Sequence, residues 1–465
     1  MAQFIVVSNR GPASATIDTS GEIVMKRGAG GLVTAFLPLI KQELAKWLFP
    51  ISSKADTKAN EYDLFSKMMP GLKPVELPVE IHDSAYNKIS NEILWYLNHG
   101  MFSPTRTPSF DSSFYLLWEH YCQYSQILAH AIAELADQSD KILLQDYHMF
   151  LVARALKQLR PDLEIALFLH TPFANTSEFK ILPNEVASQI LESLSLLDHL
   201  GFHAQMWKNN YLETTMNYGI TPAKNVWVNP LGSDVDELNG ALIQVASKVN
   251  LVDDIAKGRR IIARSDRMEP SKNILRGIDS VVEMFRFYPH LLSTTVHIAN
   301  CYSSREAILD YQLYASEVFH KVKTSNEYLV ELARNCGIVL DSSPIVLFSE
   351  DDFYLSVALL SRYDVLLVNP IRDGLNLVAT EGPIINQNDG TLVLSQNAGV
   401  AEYLSNEASL VNPFDVRETA QALYDALTLG SVERHQKSAS LRNLALERSP
   451  QTWFSNQIAW FTSEN

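Results

Sequence analysis

Arg267 and Lys272, two cations five residues apart, follow the β-rich run Arg260 to Arg264, and further along Asp373 and Glu381 place a carboxylate at each end of a stretch containing Gly374. Cations and backbone N–H groups neutralise phosphate oxygens, and carboxylates accept hydrogen bonds from sugar and ribose hydroxyls. The set suits a sugar diphosphate. Other groups recur at the same kind of place, the end of an apolar run: Arg10 after Phe4 to Ser8, Asp146 after Ile142 to Gln145, and His170 after Ile165 to Leu169. Each has an ordinary reading alone, Arg10 as a solvated loop arginine, Asp146 as a helix cap and His170 as a hydrogen-bonded core histidine. Their shared position gives them weight, because polar groups at strand C-termini line the ligand crevice of α/β domains.

Positioning such groups requires strands that alternate with helices. Phe4 to Ser8, Ile142 to Gln145, Ile165 to His170, Leu200 to His203 and Val226 to Asn229 read as buried strands, with a hairpin over Ala15 to Lys26 turning at Ser20-Gly21. Helix-like segments run from Leu32 to about Trp47, Met149 to Leu159 and Glu185 to Leu197. The pattern then repeats, with strands at Arg260 to Arg264, Thr295 to Ala299, Ile345 to Phe348, Asp364 to Asn369, Thr391 to Ser395 and Ser409 to Asn412, and helices at Asn273 to Phe287, Glu306 to Val322 and Phe353 to Arg362. A chain of 465 residues exceeds what one hydrophobic core usually supports, and the polar stretch from Gly232 to about Gly258 is the expected boundary. The expectation is α/β, two doubly wound Rossmann-like domains facing a central cleft, residues 1–235 and 236–465, with the last helix packing back on the first.

Composition narrows the function classes. Apolar residues make up 46% and charged residues 20%, and the net charge of -15 argues against broad binding to nucleic acid or anionic membrane. Cys122, Cys301 and Cys336 show no CxxC spacing, so neither a disulfide framework nor a zinc site is expected, and a reducing cytoplasm fits. The start reads as no signal peptide, and no run approaches the ~20 apolar residues that span a bilayer. Gly28-Ala29-Gly30-Gly31 is followed by Val33 where GxGxxG needs glycine, which disfavours a dinucleotide-dependent oxidoreductase. Tyr86 and Trp95 are core aromatics by default.

In order along the chain, Val6-Val7-Ser8-Asn9-Arg10, Gly30-Gly31-Leu32, Tyr86 to Asn91 with Leu94-Trp95, Gln145-Asp146-Tyr147-His148, His170-Thr171-Pro172-Phe173, Gly201-Phe202-His203, Pro230-Leu231-Gly232, Arg267 to Lys272, Asp373 to Glu381 and Leu410 to Asp415 resemble the trehalose-6-phosphate synthases of glycosyltransferase family 20. The resemblance implies a GT-B fold and a metal-independent, retaining transfer of glucose from a nucleoside diphosphate glucose to glucose 6-phosphate, with the acceptor held mainly by the N-terminal half and the donor by the C-terminal half. It implies no cofactor. It assigns Arg267 and Lys272 to the leaving diphosphate, His170 to the donor sugar and Asp146 to the neighbourhood of the acceptor, as the catalytic group. Donor contacts are implied for Gly30, Gly31, Asp373, Asn376, Leu377, Val378 and Glu381, and acceptor contacts for Arg10, Tyr86, Trp95 and Arg305, with Trp47 as a candidate lid over the acceptor. The implied partners are a nucleoside diphosphate glucose and a sugar phosphate, without nucleic acid or membrane, and homo-oligomer formation stays open.

The chain departs from the family run Glu-Arg-Leu-Asp-Tyr-x-Lys-Gly at Ser265 to Asn273, and Gly382-Pro383 replaces the usual Tyr after Glu381. Both departures fall in the donor half, so uridine, guanosine and adenosine donors all stay open. Glycerol 3-phosphate as acceptor, cyclitol coupling by a pseudoglycosyltransferase, and a non-catalytic sugar-phosphate-binding homologue are the alternatives.

Overall fold

The computed structural model describes residues 3–28, 31–102 and 108–461. The described residues divide into two compact units, one running to Pro230 and resuming at Pro450, the other Leu231–Ser449.

The first unit contains β1 (Phe4–Val7), β2 (Ala13–Ile17), β3 (Ile23–Arg27), β4 (Ala45–Ile51), β5 (Leu72–Glu76), β6 (Lys141–Gln145), β7 (Glu164–Leu169), β8 (His199–Phe202) and β9 (Asn225–Val228). Seven of these form a parallel sheet in the order β5-β4-β1-β6-β7-β8-β9, and β2 and β3 make the antiparallel hairpin expected at Ser20-Gly21. Ile5, Val6 and Val7 of β1 and Ile142, Leu143 and Leu144 of β6 are all fully buried, as strands covered on both faces must be.

Two expectations fail here. The helix that opens at Gly31 ends at Lys41 rather than near Trp47, and Glu43 then takes a left-handed φ of 58° that lets the chain turn into β4. Trp47 therefore lies on a strand, fully buried, and donates its indole N–H to Ser8 Oγ at 2.8 Å, so it is a core residue and not a lid. Pro50 and Pro74 hide β4 and β5 from a pattern reading. Pro74 sits on the edge strand, and Pro50 lies beyond the stretch of β4 that pairs with β1. Gly30 lies outside the described residues.

The second unit contains β10 (Arg260–Arg267), β11 (Thr295–Tyr302), β12 (Ile345–Phe348), β13 (Val365–Val368), β14 (Thr391–Ser395) and β15 (Ser409–Val411), parallel and in the order β12-β11-β10-β13-β14-β15. Helix Ile274–Phe287 buries Ile274, Ile278, Val281, Met284 and Phe285 against Ile262, Val365 and Leu367 of the sheet. The stretch expected as a polar boundary is folded into helices Val235–Leu242 and Ala246–Ala256, the first capped by Asp234 accepting from Glu237 N–H at 3.0 Å. The last helix, Pro450–Trp460, belongs to the first unit: Asn229 donates to Trp453 O at 2.8 Å, and the Trp453 ring lies edge-on to Phe168 at 5.0 Å. No described helix is long and apolar enough to cross a membrane.

Both sheets reverse direction at their first parallel strand. The order runs outward one way from β1 and β10 and the other way from β6 and β13, so loops leaving those adjacent pairs diverge and open a crevice at each switch point. Arg10 and Asp146 follow β1 and β6. Arg267 ends β10, Lys272 follows it, and Asp373 follows β13.

Candidate active site

In the second unit, β10 carries charge on a buried face. Arg264 and Asp266 lie two residues apart on one side of the strand, with 1% and 6% of their side chains exposed, and their guanidinium and carboxylate meet at 3.0 Å. Arg264 also donates to Asn369 Oδ1 at 2.6 Å and to the carbonyl of Lys272, so one buried arginine ties the end of β13 to the turn that carries Lys272. That turn, Pro270–Lys272, ends at Asn273, whose φ of 60° and side-chain bonds to Asn369 O (3.0 Å) and Pro413 O (2.7 Å) lock it in place. Lys272 Nζ lies 2.6 Å from Asp373 Oδ2 and 4.0 Å from Asp266 Oδ1. Burial works against the lysine cation, but the two carboxylates outweigh it and raise its pKa.

Asp373 is itself fixed. It accepts from Asn376 Nδ2 at 3.1 Å and from Leu375 N–H at 3.3 Å, while its backbone bridges to the loop at Ala398. Asn376 has a φ of 80°, and helix Val378–Ile385 begins immediately after Leu377. First-turn N–H groups have no acceptor within a helix, so Leu377 and Val378 present backbone donors beside the Lys272–Asp373 pair. Glu381 lies in that first turn. Burial first, and Glu237 second, push its carboxyl up to about 7. A 2.7 Å bond between Ser233 and Thr380 hydroxyls holds the Glu237 helix start against it.

Arg267 ends β10, opposite Tyr302 of β11, and its guanidinium lies 3.0 Å from Glu269 Oε1. The arginine is 42% exposed and the glutamate wholly buried, so the pair has an open cationic end and a dry anionic one. Burial alone would raise the Glu269 carboxyl, but Arg267, Arg305 and Lys272 together hold it at about 2. Arg305 donates to Tyr311 OH at 2.6 Å and sits at a φ of 50°.

The first unit is built differently. Arg10 donates to Tyr86 OH at 2.6 Å and stands over its ring at 5.5 Å. Tyr86 stacks between His82 and His148, at 5.7 and 5.6 Å, and Trp95, 6% exposed, stacks on His99 at 3.9 Å and tilts against Tyr147 at 5.9 Å. Tyr86 and Trp95 come from one helical stretch, the π-helical turn Ser84–Leu94 and the α-helix Trp95–Asn98. Asp146 has a φ of 71° and accepts from the N–H groups of Tyr147 (3.0 Å) and His170 (3.2 Å), which binds the ends of β6 and β7. His170 lies 3.1 Å from Gln145 Oε1 through Nε2 and 3.0 Å from His203 Nε2 through Nδ1. Because the amide oxygen only accepts, Nε2 carries the His170 proton. Burial pushes His170 down to about 3 and holds His203 well below its ordinary value, so both rings stay neutral.

The structure thus brings Arg267 and Arg305 around Glu269, Lys272, Asp373 and Asn376 into one cluster, Arg10 with Tyr86, and Asp146 with His170. Roles for Arg264, Asp266, Glu269 and Ser304 escape a motif reading. A signal for the first two exists: opposite charges at i and i+2 within an apolar strand must pair, because an isolated buried charge is too costly.

Two Rossmann-like units with polar groups at their switch points define the fold as that of a GT-B glycosyltransferase. The crystal structure of an alpha,alpha-trehalose-phosphate synthase (UDP-forming) from Burkholderia vietnamiensis has this fold, matching with a TM-score of 0.83 at 22% identity over 99% of this chain and all of that one. The model of glycosyltransferase family 20 matches residues 2–462, and the chain belongs to that family. It is 28% identical to alpha,alpha-trehalose-phosphate synthase [UDP-forming] A of Dictyostelium discoideum over 97% of its own length, and spans 61% of that longer relative. It is 29% identical to the 56 kDa subunit of alpha,alpha-trehalose-phosphate synthase [UDP-forming] of Saccharomyces cerevisiae, covering 98% of this chain and 93% of the relative.

Proposed function

We propose that the protein transfers glucose from UDP-glucose to glucose 6-phosphate with retention at the anomeric carbon, forming trehalose 6-phosphate. The observation that carries the reading is the cation array at the β10–β13 switch point, Lys272 held at 2.6 Å by Asp373 beside the half-exposed Arg267. Uridine is supported by the names of the relatives, whose family the chain shares.

In the transfer, the bond from the anomeric carbon to the diphosphate oxygen breaks and a bond to the acceptor oxygen forms on the same face. The acceptor proton passes to the departing phosphate oxygen. Arg267, Lys272 and the N–H groups of Asn376, Leu377 and Val378 stabilise the charge that develops there without a metal, and fixed donors do so with little reorganisation. Asp373 accepts from donor-sugar hydroxyls, and Glu381, once ionised, from the ribose. Arg10, Tyr86, Trp95 and Arg305 receive the acceptor, and Gly30 and Gly31 approach the donor. Asp146 lies near the acceptor. His170, with both nitrogens engaged inside the unit, serves as a neutral wall to the donor sugar rather than a proton carrier. We assign the acceptor mainly to residues 1–235 and the donor to 236–465, and place the enzyme in the cytoplasm, where its free cysteines stay reduced.

The test is a matrix of UDP-, GDP- and ADP-glucose against glucose 6-phosphate and glycerol 3-phosphate, with and without EDTA, scored by nucleoside diphosphate release. UDP release with glucose 6-phosphate, insensitive to EDTA, is expected. Folded protein that binds nucleotide but releases none with any pairing would sink the reading.

A further inference from the structure

Glu269 stands between two arginines that the functional reading assigns to different substrates. Its Oε1 lies 3.0 Å from Arg267 and accepts from Ser304 Oγ at 2.9 Å. Ser304 precedes Arg305, the acceptor-phosphate arginine, whose guanidinium is steadied by Tyr311 OH at 2.6 Å. One wholly buried carboxylate oxygen therefore fastens the end of β10 to the loop after β11. The backbone already aligns the two segments, with Met268 N–H bonded to Tyr302 O at 2.7 Å. Two further features mark the junction as more than packing. Arg305 keeps a left-handed φ of 50°, a strained state that persists only where its surroundings over-determine it. The other oxygen, Glu269 Oε2, is buried without a hydrogen-bond partner among the described residues, a group that calls for an explanation.

We propose that Glu269 is a positioning residue that couples the two phosphate sites, holding Arg267 for the donor diphosphate and, through Ser304, the Arg305 loop for the acceptor phosphate. A phosphate on Arg305 orders Ser304 and with it the Glu269 carboxylate, so Arg267 meets the diphosphate already placed. By reciprocity the diphosphate improves acceptor binding by the same factor. This inference rests on the donor and acceptor roles given above to Arg267 and Arg305.

Calorimetric titration of UDP with and without saturating glucose 6-phosphate, on wild type, Glu269→Gln, Glu269→Asp and Ser304→Ala, tests it. In the wild type the acceptor tightens UDP by about tenfold, within the roughly 5- to 150-fold usual for coupled sites. In Glu269→Gln each ligand still binds alone but the ratio falls to within about twofold, and Glu269→Asp, which keeps the charge, recovers part of it. Should Glu269→Gln fail to fold, Ser304→Ala, on a partly exposed residue, carries the same expectation. An unchanged ratio in the variants, or none in the wild type, overturns the coupling while leaving the transfer reaction standing. A wild type that binds neither ligand overturns the functional reading, and the coupling with it.

Discussion

In the second unit Arg264, Arg267 and Lys272 are each tied to a carboxylate, whereas in the first Arg10 leans on a tyrosine hydroxyl among aromatic and imidazole rings. Under the proposed reaction, the difference follows from what each unit must handle. A departing diphosphate gains charge during the reaction, and cations locked by buried partners stabilise that charge without first moving, at the expense of desolvating several ions. An acceptor sugar phosphate keeps its charge throughout, so the first unit needs only a stacked aromatic wall and one exposed arginine in addition to the Arg305 that the second unit supplies. Strain marks both sides: Asp146, Arg305 and Asn376, all at polar turns next to a strand or helix end, have positive φ.

Removing a locked cation should break the contrast most visibly. Arg267→Ala is expected to lower kcat/KM by about 10²- to 10³-fold, the usual cost of losing one preorganised charge stabiliser. Nucleoside diphosphate release measures it, and near-normal turnover would mean that the leaving group is held elsewhere. Next comes a titration of opposite sign in the two units. Glu381 is raised from its ordinary 4.5 to about 7, so the stability it contributes is full below 4.5 and lost as pH climbs through 7. In its proposed ribose-binding role the ionised form is the acceptor, so UDP affinity should rise about tenfold across neutrality, and Glu381→Gln should flatten that step. His170 runs the other way. Lowered from 6.5 to about 3, it contributes stability present above 6.5 and lost as pH falls toward 3, so melting temperatures should drop in acid, less steeply in His170→Asn. An activity profile with a His170 ionisation near 6.5 would contradict the neutral wall. The smallest effect should come from Tyr86→Phe, which removes only the bond to Arg10 and should raise the KM for the acceptor by about threefold to tenfold, with kcat little changed.

The strands were legible where β-branched and apolar residues ran together, and the six strands of the second unit all lie where their runs placed them. β4 and β5 were not, because proline and lysine interrupt them and their pairing, not their composition, makes them strands. Arg267, Lys272, Asp373 and Glu381 could be named from spacing. What spacing could not convey is that Lys272 is anchored through Arg264, or that Glu269 joins two loops, since both depend on sheet register and on which face of β10 is buried. The neutral state of His170 was equally hidden, being set by its burial within the folded first unit.

Tyr363, wholly buried, fills the space beside two glycines. A side chain begun at Gly382 would start 2.5 Å from Leu366 and 3.3 Å from the Tyr363 ring, and one begun at Gly390 only 2.2 Å from that ring. A side chain at the position after Glu381 therefore requires Leu366 to move and crowds Tyr363. A graft that places a side chain at Gly382 must therefore change Leu366 with it, and one at Gly390 must change Tyr363.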